Sequence, residues 1–170
     1  MVELEFQNYE ENVKTFNKIK DNLLKSISRP IIVDHVGSTA IKNMFGKNII
    51  DILVGVQNHE DFEIVYKELT NLEFYPSKNF ESNIYHFFAS TDAETKSGDI
   101  HIHLAIIGTD RYQDFLTLKY YLINNPDEAK AYSDHKLELI KKGTTERSNY
   151  RKEKSKYVSN LILKARQNRN

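Results

Sequence analysis

The spacing of apolar residues divides the chain into a first helix, a group of strands and a helical last third. Apolar residues at helical spacing over residues 8–27 predict an amphipathic helix, and Pro30 stops it because the residue before proline is disfavoured in the α region. Segments rich in β-branched or aromatic residues predict strands at residues 31–36, 49–56, 84–89 and 99–107. The polar stretch 90–98 predicts that the last two strands form a hairpin.

Helical spacing recurs after the first strands. It predicts a helix at residues 61–71 and a C-terminal group of three helices at residues 110–124, 128–142 and 145–166. Residues 38–46 are predicted as a short helix or a loop. A mixed β-sheet with an N-terminal helix and three C-terminal helices is an α+β fold. Because no linker or repeat interrupts residues 1–170, we expect a single domain.

Composition narrows the classes of function. Lys and Arg together number 24 and so do Asp and Glu, which gives a formal net charge of zero at pH 7. This balance predicts no general nucleic-acid binding and no membrane binding, and it is compatible with a local basic pocket. The lack of cysteine in the sequence excludes disulfides, thiolate zinc sites and thiol nucleophiles. Since no long apolar segment and no secretory pattern occur, we expect a cytoplasmic protein.

One strand carries a cluster of polar side chains. Side chains alternate along a strand, so Asp99, His101 and His103 are expected on one face, opposite a face of Ile and Leu. Two imidazoles and a carboxylate at this spacing suit a metal ion or a set of proton donors and acceptors. A solvated face of an edge strand is the alternative, and the segment taken alone favours it.

Two further segments are candidates for chemistry. Asp51 lies in an otherwise apolar strand, where a carboxylate is costly unless it is paired, hydrogen-bonded or bound to metal. The Gly37, Ser38 and Thr39 turn that follows a strand is suited to an anionic group, or is an ordinary turn with a helix cap. His35, before that turn, is either a core histidine or a member of the site.

Lysines interrupt the apolar faces of two C-terminal helices. Lys136 and Lys154 each follow a tyrosine by four residues, Tyr132 and Tyr150 respectively. A lysine at such a position either extends along the surface to solvent or reaches into a cleft. Together with Lys119, these lysines are candidates to hold a phosphorylated ligand.

Combined, these segments resemble known sequences. A glycine-serine turn followed about a dozen residues later by a strand aspartate resembles the nucleotidyltransferase superfamily, whose metal ions neutralise phosphoryl oxygens. More closely, residues 35–40 and 46–56 resemble the signature of the GrpB family. Further matches lie at His101-Ile102-His103, Tyr121-Leu122, Pro126-Asp127-Glu128-Ala129, Tyr132 with Lys136, and Tyr150 with Lys154. The resemblance spans nearly the whole chain.

The resemblance implies a nucleotidyltransferase-like fold in a bacterial, cytoplasmic protein of poorly defined activity. It also implies a site made of Gly37, Ser38, Thr39, Lys47, Asp51, His101 and His103. Related domains follow dephospho-CoA kinase in some bacteria, so a coenzyme A pathway enzyme is a candidate partner, as is a second copy of the chain. The chain departs from the family pattern at Asn48, at Lys119, where arginine is usual, and at Asn125. Lysine lacks the bidentate anion recognition of arginine, so substrate preference is expected to differ.

Position 53 is important for the expected chemistry, because the second carboxylate of the superfamily would fall there and this chain has Leu53. A two-metal site needs several carboxylates, so a single ion held by Asp51, His101 and His103 is the better expectation. These ligands suit manganese, zinc or nickel better than magnesium, and no organic cofactor is implied.

The sequence therefore predicts a protein that binds a nucleotide or another phosphorylated small molecule in a metal-competent pocket. Gly37, Ser38 and Thr39 would hold phosphate with four lysines: Lys47, Lys119, Lys136 and Lys154. Catalysis of metal-dependent nucleotidyl or phosphoryl transfer would use Asp51 with His35 as general base, its pKa near the working pH. The alternative is a non-catalytic ligand- or partner-binding module of the same fold. A third, weaker alternative is a structural interaction protein in which Asp51 and the two histidines do not converge.

Overall fold

The fold is described here from a computed structural model, over residues 2–78, 82–90, 99–144 and 146–168. The helices are α1 (Tyr9–Ser26), a short 3₁₀ helix (Ser38–Ala40), α2 (His59–Asn71), α3 (Asp110–Asn124), α4 (Pro126–Lys141) and α5 (Arg147–Gln167). The strands are β1 (Glu5–Phe6), β2 (Ile32–Val36), β3 (Phe45–Gly46), β4 (Ile50–Val56), β5 (Tyr75–Pro76), β6 (Tyr85–Ala89) and β7 (Ile100–Ile106). The predicted α+β class is confirmed.

The main sheet is mixed. Its strand order within the described residues is β2-β4-β7-β6-β5, with β4 and β7 parallel and the other neighbours antiparallel. Parallel pairing places Asp51 of β4 directly beside His101 of β7, while antiparallel pairing places Val36 of β2 on the other side of Asp51. β6 and β7 form the predicted antiparallel pair, and the predicted loop at 91–98 lies outside the described residues.

The two faces of the sheet have different roles. Alternate residues of β4, beginning with Ile50, pack with α1 and α2 in the largest apolar cluster. The residues between them, including Asp51 and Leu53, project to the opposite face, where Leu53 packs with Tyr112 of α3. The approach of α3 is close, because a Cβ at Gly55 would lie 2.6 Å from the Tyr112 ring. The polar residues of β4 and β7 are therefore covered by the C-terminal helices.

Several element boundaries differ from the predictions, and local capping explains one of them. α2 begins at His59 because the Asn58 side chain accepts a hydrogen bond from the Asp61 amide at 2.9 Å. β1, β3 and β5 were not predicted, because strands of two residues are too short to show periodicity. No helix within the described ranges is long and apolar enough to cross a membrane.

Candidate functional site

The half-buried carboxylate of Asp51 on β4 contacts both histidines of β7. Asp51 Oδ1 lies 3.2 Å from His101 Nδ1 and 3.5 Å from His103 Nε2. Burial alone would raise the pKa of the Asp51 carboxyl, but the hydrogen bonds and charges of the two histidines outweigh it and lower that pKa. Asp51 is therefore an ionised acceptor shared by two imidazoles, and the predicted convergence of these three side chains is observed. Asp99, expected on the same face, is exposed and accepts a hydrogen bond from Ser90 instead.

Tyr85 extends this group of polar side chains. Its hydroxyl lies 2.8 Å from His103 Nδ1. Because a carboxylate only accepts hydrogen bonds, the His103 nitrogen facing Asp51 carries the hydrogen, so Nδ1 accepts from the Tyr85 hydroxyl. Burial lowers the pKa of His103, against the opposing effect of Asp51. Both nitrogens of His103 are thus engaged within the protein.

These contacts bear on the predicted metal site. A metal ion would need lone pairs of Asp51, His101 and His103 directed at one point, whereas His101 Nδ1 donates a hydrogen bond to Asp51 Oδ1 and His103 Nε2 contacts the same oxygen at 3.5 Å. Among the described residues, no group of three or more His, Asp or Glu side chains is arranged to hold a metal ion. As they stand, the three side chains do not fit a three-ligand centre, and metal binding stays a prediction.

The turn after β2 lies against Asp51. Gly37 has φ +74°, and a Cβ there would lie 2.9 Å from the Asp51 Cβ and would overlap its Oδ2. Glycine is therefore required both by the backbone conformation and by the space. Ser38 follows, and its hydroxyl accepts a hydrogen bond of 2.9 Å from Lys136 Nζ.

A cavity of about 470 Å³ opens between this face of the sheet and the C-terminal helices. Asp51, His101, His103, Gly37 and Ser38 all line it. Among the described residues, seven basic side chains line it, namely Lys47, Arg111, Lys119, Lys136, Arg147, Arg151 and Lys154. Its carboxylates in the same set of residues are Asp51, bonded to histidines, and Asp114, bonded to Arg166. A chain of zero net charge thus contains a strongly basic cavity.

Lys136 is the most buried of these cations, with 1% of its surface exposed. Its Nζ donates hydrogen bonds to Ser38 Oγ and to the Phe45 carbonyl, and it lies 4.6 Å from the centre of the Tyr132 ring. Burial and, to a smaller extent, the charge of nearby Lys154 lower the pKa of Lys136 to about 7, against the opposing effect of Asp51. Of the two predicted alternatives, Lys136 therefore reaches into the cleft.

The other predicted lysines also line the cavity. Burial lowers the pKa of Lys47 to about 8, together with repulsion from Arg147 and Lys154. Burial also lowers the pKa of Lys154. The lowered pKa values mean that the protonated forms of these lysines are destabilised in the folded protein. A bound anion would remove part of that destabilisation. Lys119 lies 3.7 Å from Asp34, so part of its charge is already balanced.

Two predicted site residues do not line the cavity. His35 is buried, stacks on Phe16 with ring centres 4.7 Å apart, and has its Nε2 3.0 Å from Thr39 Oγ1. Thr39 Oγ1 donates to the Ile49 carbonyl, so it accepts from His35. Burial lowers the pKa of His35 to about 4, with Lys119 adding to the effect. The expectation of His35 as a base near working pH and of Thr39 as a phosphate ligand is therefore wrong: both support the turn from beneath.

Sequence reasoning missed three arginines of the cavity. Arg147 and Arg151 stand on the face of α5 that also carries Lys154, at a spacing of four and three residues. From the sequence, that spacing could have indicated that the three basic side chains share one face of a helix. Arg111, at the start of α3, lies 4.8 Å from the Tyr85 ring centre and 5.2 Å from that of Phe115. No sequence pattern indicated its contact with Tyr85, because Tyr85 belongs to β6 whereas Arg111 and Phe115 belong to α3.

The comparison with known proteins gives the family. The sequence profile of the GrpB protein family matches residues 4–164. The chain belongs to the GrpB family. The glutamate-rich protein GrpB of Alkalihalophilus pseudofirmus is 30% identical to this GrpB-family chain over 91% of each sequence. A UPF0157 protein of Pseudomonas aeruginosa is 26% identical, over 78% of this chain and 54% of its own length.

A solved structure shows the same fold. The crystal structure of the conserved protein GrpB from Enterococcus faecalis has a TM-score of 0.79 with this GrpB-family chain, at 21% identity, over 95% of this chain and 98% of that one. The two proteins therefore share a fold. A structure of the poly(A) polymerase complex GLD-2–GLD-3 has a TM-score of 0.49 over 75% of this chain and 43% of that one. A likeness at that level carries no argument about activity.

Proposed function

We propose that this protein binds a nucleotide or another phosphorylated small molecule in the basic cavity. The observation that carries the proposal is the charge imbalance: seven basic side chains line the cavity among the described residues, in a chain whose formal net charge is zero. Charges of one sign in a cleft with low-dielectric walls concentrate ligands of the opposite sign.

The chemistry of these cations favours phosphate over a single carboxylate. Arginine and lysine together present many donors to the oxygens of a phosphate chain, with arginine binding two oxygens at once. Lys136 and Ser38 are already joined by a hydrogen bond at the sheet end of the cavity, next to the Gly37 turn. A phosphate there would meet both an ammonium group and a hydroxyl.

Isothermal titration with ATP, CTP, GTP, UTP and tripolyphosphate, each with and without Mn²⁺, tests the proposal. Binding is expected to weaken with added salt, because the attraction is between charges. Lys154→Met is expected to weaken binding about tenfold or more, the loss of one charge-assisted hydrogen bond. Lys152→Met is the matched control, since Lys152 is an exposed lysine of the same helix that does not line the cavity. Silence with all of these anions would refute the proposal.

Nucleotidyl or phosphoryl transfer at Asp51 is the second candidate function. The contacts of an ionised Asp51 with two imidazoles and with the Gly37 turn favour it. The competing alternative, a non-catalytic module, is favoured by Leu53, which is fully buried where the second carboxylate of the superfamily would stand. Two products distinguish the candidates when a nucleoside triphosphate is incubated with water or an added alcohol as acceptor: pyrophosphate for nucleotidyl transfer, and nucleoside diphosphate for phosphoryl transfer. An enzyme would no longer form its product in Asp51→Asn while retaining ligand affinity, whereas a binding module forms neither product in either protein.

A further inference from the structure

The lining of the cavity changes character along α5. Its first part contributes Arg147, Arg151 and Lys154, and its later part contributes Val158 and Ile162 together with Ser155 and Ser159. At about 1.5 Å per residue, Arg151 and Val158 are separated by about 10 Å along the helix axis. One face of one helix therefore presents a charged section and then an uncharged section of aliphatic and serine side chains to the same cavity.

The elements packed beside α5 continue both sections. Near the first section, Lys47 lies 5.5 Å from the centre of the Tyr150 ring. Lys154 is close enough to Lys136 for its charge to lower the pKa of Lys136. Near the end of α5, Arg166 bonds to Asp114 of α3 at 2.7 Å, which brings that half of α5 beside α3. α3 contributes Phe115 and Leu118 to the cavity there.

The cavity thus has two parts. We call the cationic part the basic end: Lys47, Lys136, Arg147, Arg151 and Lys154. We call the other part the apolar wall: Phe115, Leu118, Val158 and Ile162, which are all half-buried and all line the cavity. Half-buried apolar side chains around a cavity gain stability when a ligand removes their remaining surface from water.

We infer that the ligand is a nucleotide, with its phosphate chain in the basic end and its base against the apolar wall. This inference rests on the proposed anion binding and selects among phosphorylated molecules. A sugar phosphate presents hydroxyls rather than apolar surface, so it would bury little of the apolar wall. A nucleobase has a flat, weakly polar face that packs on aliphatic side chains and on the planar guanidinium of arginine. Leu118, Val158 and Ile162 provide the aliphatic surface. Arg111 lines the cavity over the Phe115 ring and provides a plane for stacking.

The first test compares nucleotides with tripolyphosphate, which has the phosphates and no base. Charge alone predicts that tripolyphosphate binds at least as tightly as any nucleoside triphosphate. The inference predicts that the best of ATP, CTP, GTP and UTP binds about tenfold or more tightly than tripolyphosphate, the contribution of one stacked base. Equal affinities would overturn the inference and leave the proposed anion binding intact. Absence of binding by every anion would overturn both.

The second test removes the apolar character without removing charge. In the double variant Val158→Thr/Ile162→Thr, nucleotide affinity is expected to fall towards that of tripolyphosphate, while tripolyphosphate affinity stays unchanged. Leu163→Thr is the matched control, because Leu163 is 57% exposed on the same helix and does not line the cavity. Circular dichroism checks that the variants fold. The comparison of nucleotides with tripolyphosphate in the wild-type protein does not depend on these variants. An unchanged preference for nucleotide in the double variant would overturn the inference.

Discussion

Replacing Gly37 by alanine tests the geometry on which the candidate site depends. The backbone at Gly37 has φ +74°, and an added Cβ would lie 2.9 Å from the Asp51 Cβ and 3.0 Å from its Cγ. Ordinary van der Waals contacts of a Cβ begin at 3.4 Å, so the Asp51 side chain has to move. Such a movement disrupts its contacts of 3.2 Å and 3.5 Å with His101 and His103.

Two costs add in Gly37→Ala. A non-glycine residue at φ +74° and ψ −171°, a region essentially restricted to glycine, costs about 1–3 kcal/mol. Loss of one hydrogen bond to a charged group adds about 1.5–3 kcal/mol. The total is about 2.5–6 kcal/mol. This is a large part of the roughly 5–15 kcal/mol by which proteins of this size are stable. Urea denaturation followed by circular dichroism measures the change in the free energy of unfolding.

Gly108→Ala separates the two costs. Gly108 also has a positive φ, +87°, but a Cβ there would meet no atom within 4 Å. It therefore carries the backbone cost alone, and Gly37→Ala is expected to be about 2 kcal/mol more destabilising. In an Asp51→Ala background this difference should shrink, because the carboxyl group that collides is gone while the Cβ at 2.9 Å remains. Equal costs for the two glycine variants would refute the close approach of the turn to Asp51.

Three further predictions concern the buried polar groups. Because burial holds the pKa of Lys136 at about 7 in the folded protein, below that of the unfolded chain, stability should rise with pH from about 7 towards 10. Lys136→Met should flatten that rise in urea titrations, and an unchanged slope would contradict this. Burial holds the pKa of His35 at about 4, so its contribution to stability is lost as pH falls from 6.5 to about 4. His35→Phe should reduce this acid sensitivity in thermal melts, and an identical pH profile would exclude it. Tyr85→Phe removes the hydrogen bond to His103 and should cost about 1 kcal/mol in urea denaturation. The exposed Tyr75→Phe control should cost nothing, and equal costs would argue against the bond.

Alternation along strands predicted that His101 and His103 share one face of their strand, and the structure places both beside Asp51. What it could not supply is the pairing of β4 with β7, because parallel strands are joined through intervening elements whose path the sequence does not reveal. The contact between Asp51 and His101 follows from that register. The error at His35 has a related cause, since its partner Phe16 comes from α1, and that burial sets its pKa.

The cations of the cavity were only partly predictable, because the sequence does not show which charges are neutralised. On α5, Lys164 bonds to Glu128 of α4 and Arg166 to Asp114 of α3, so two basic residues are balanced by carboxylates of other helices. Lys154, on the same helix, instead lines the cavity. Zero net charge of a chain therefore says little about any one cleft, since the acidic residues that balance the total can lie elsewhere on the surface. Among the described residues, seven basic side chains and two carboxylates line the cavity, so its local charge departs from that of the whole chain.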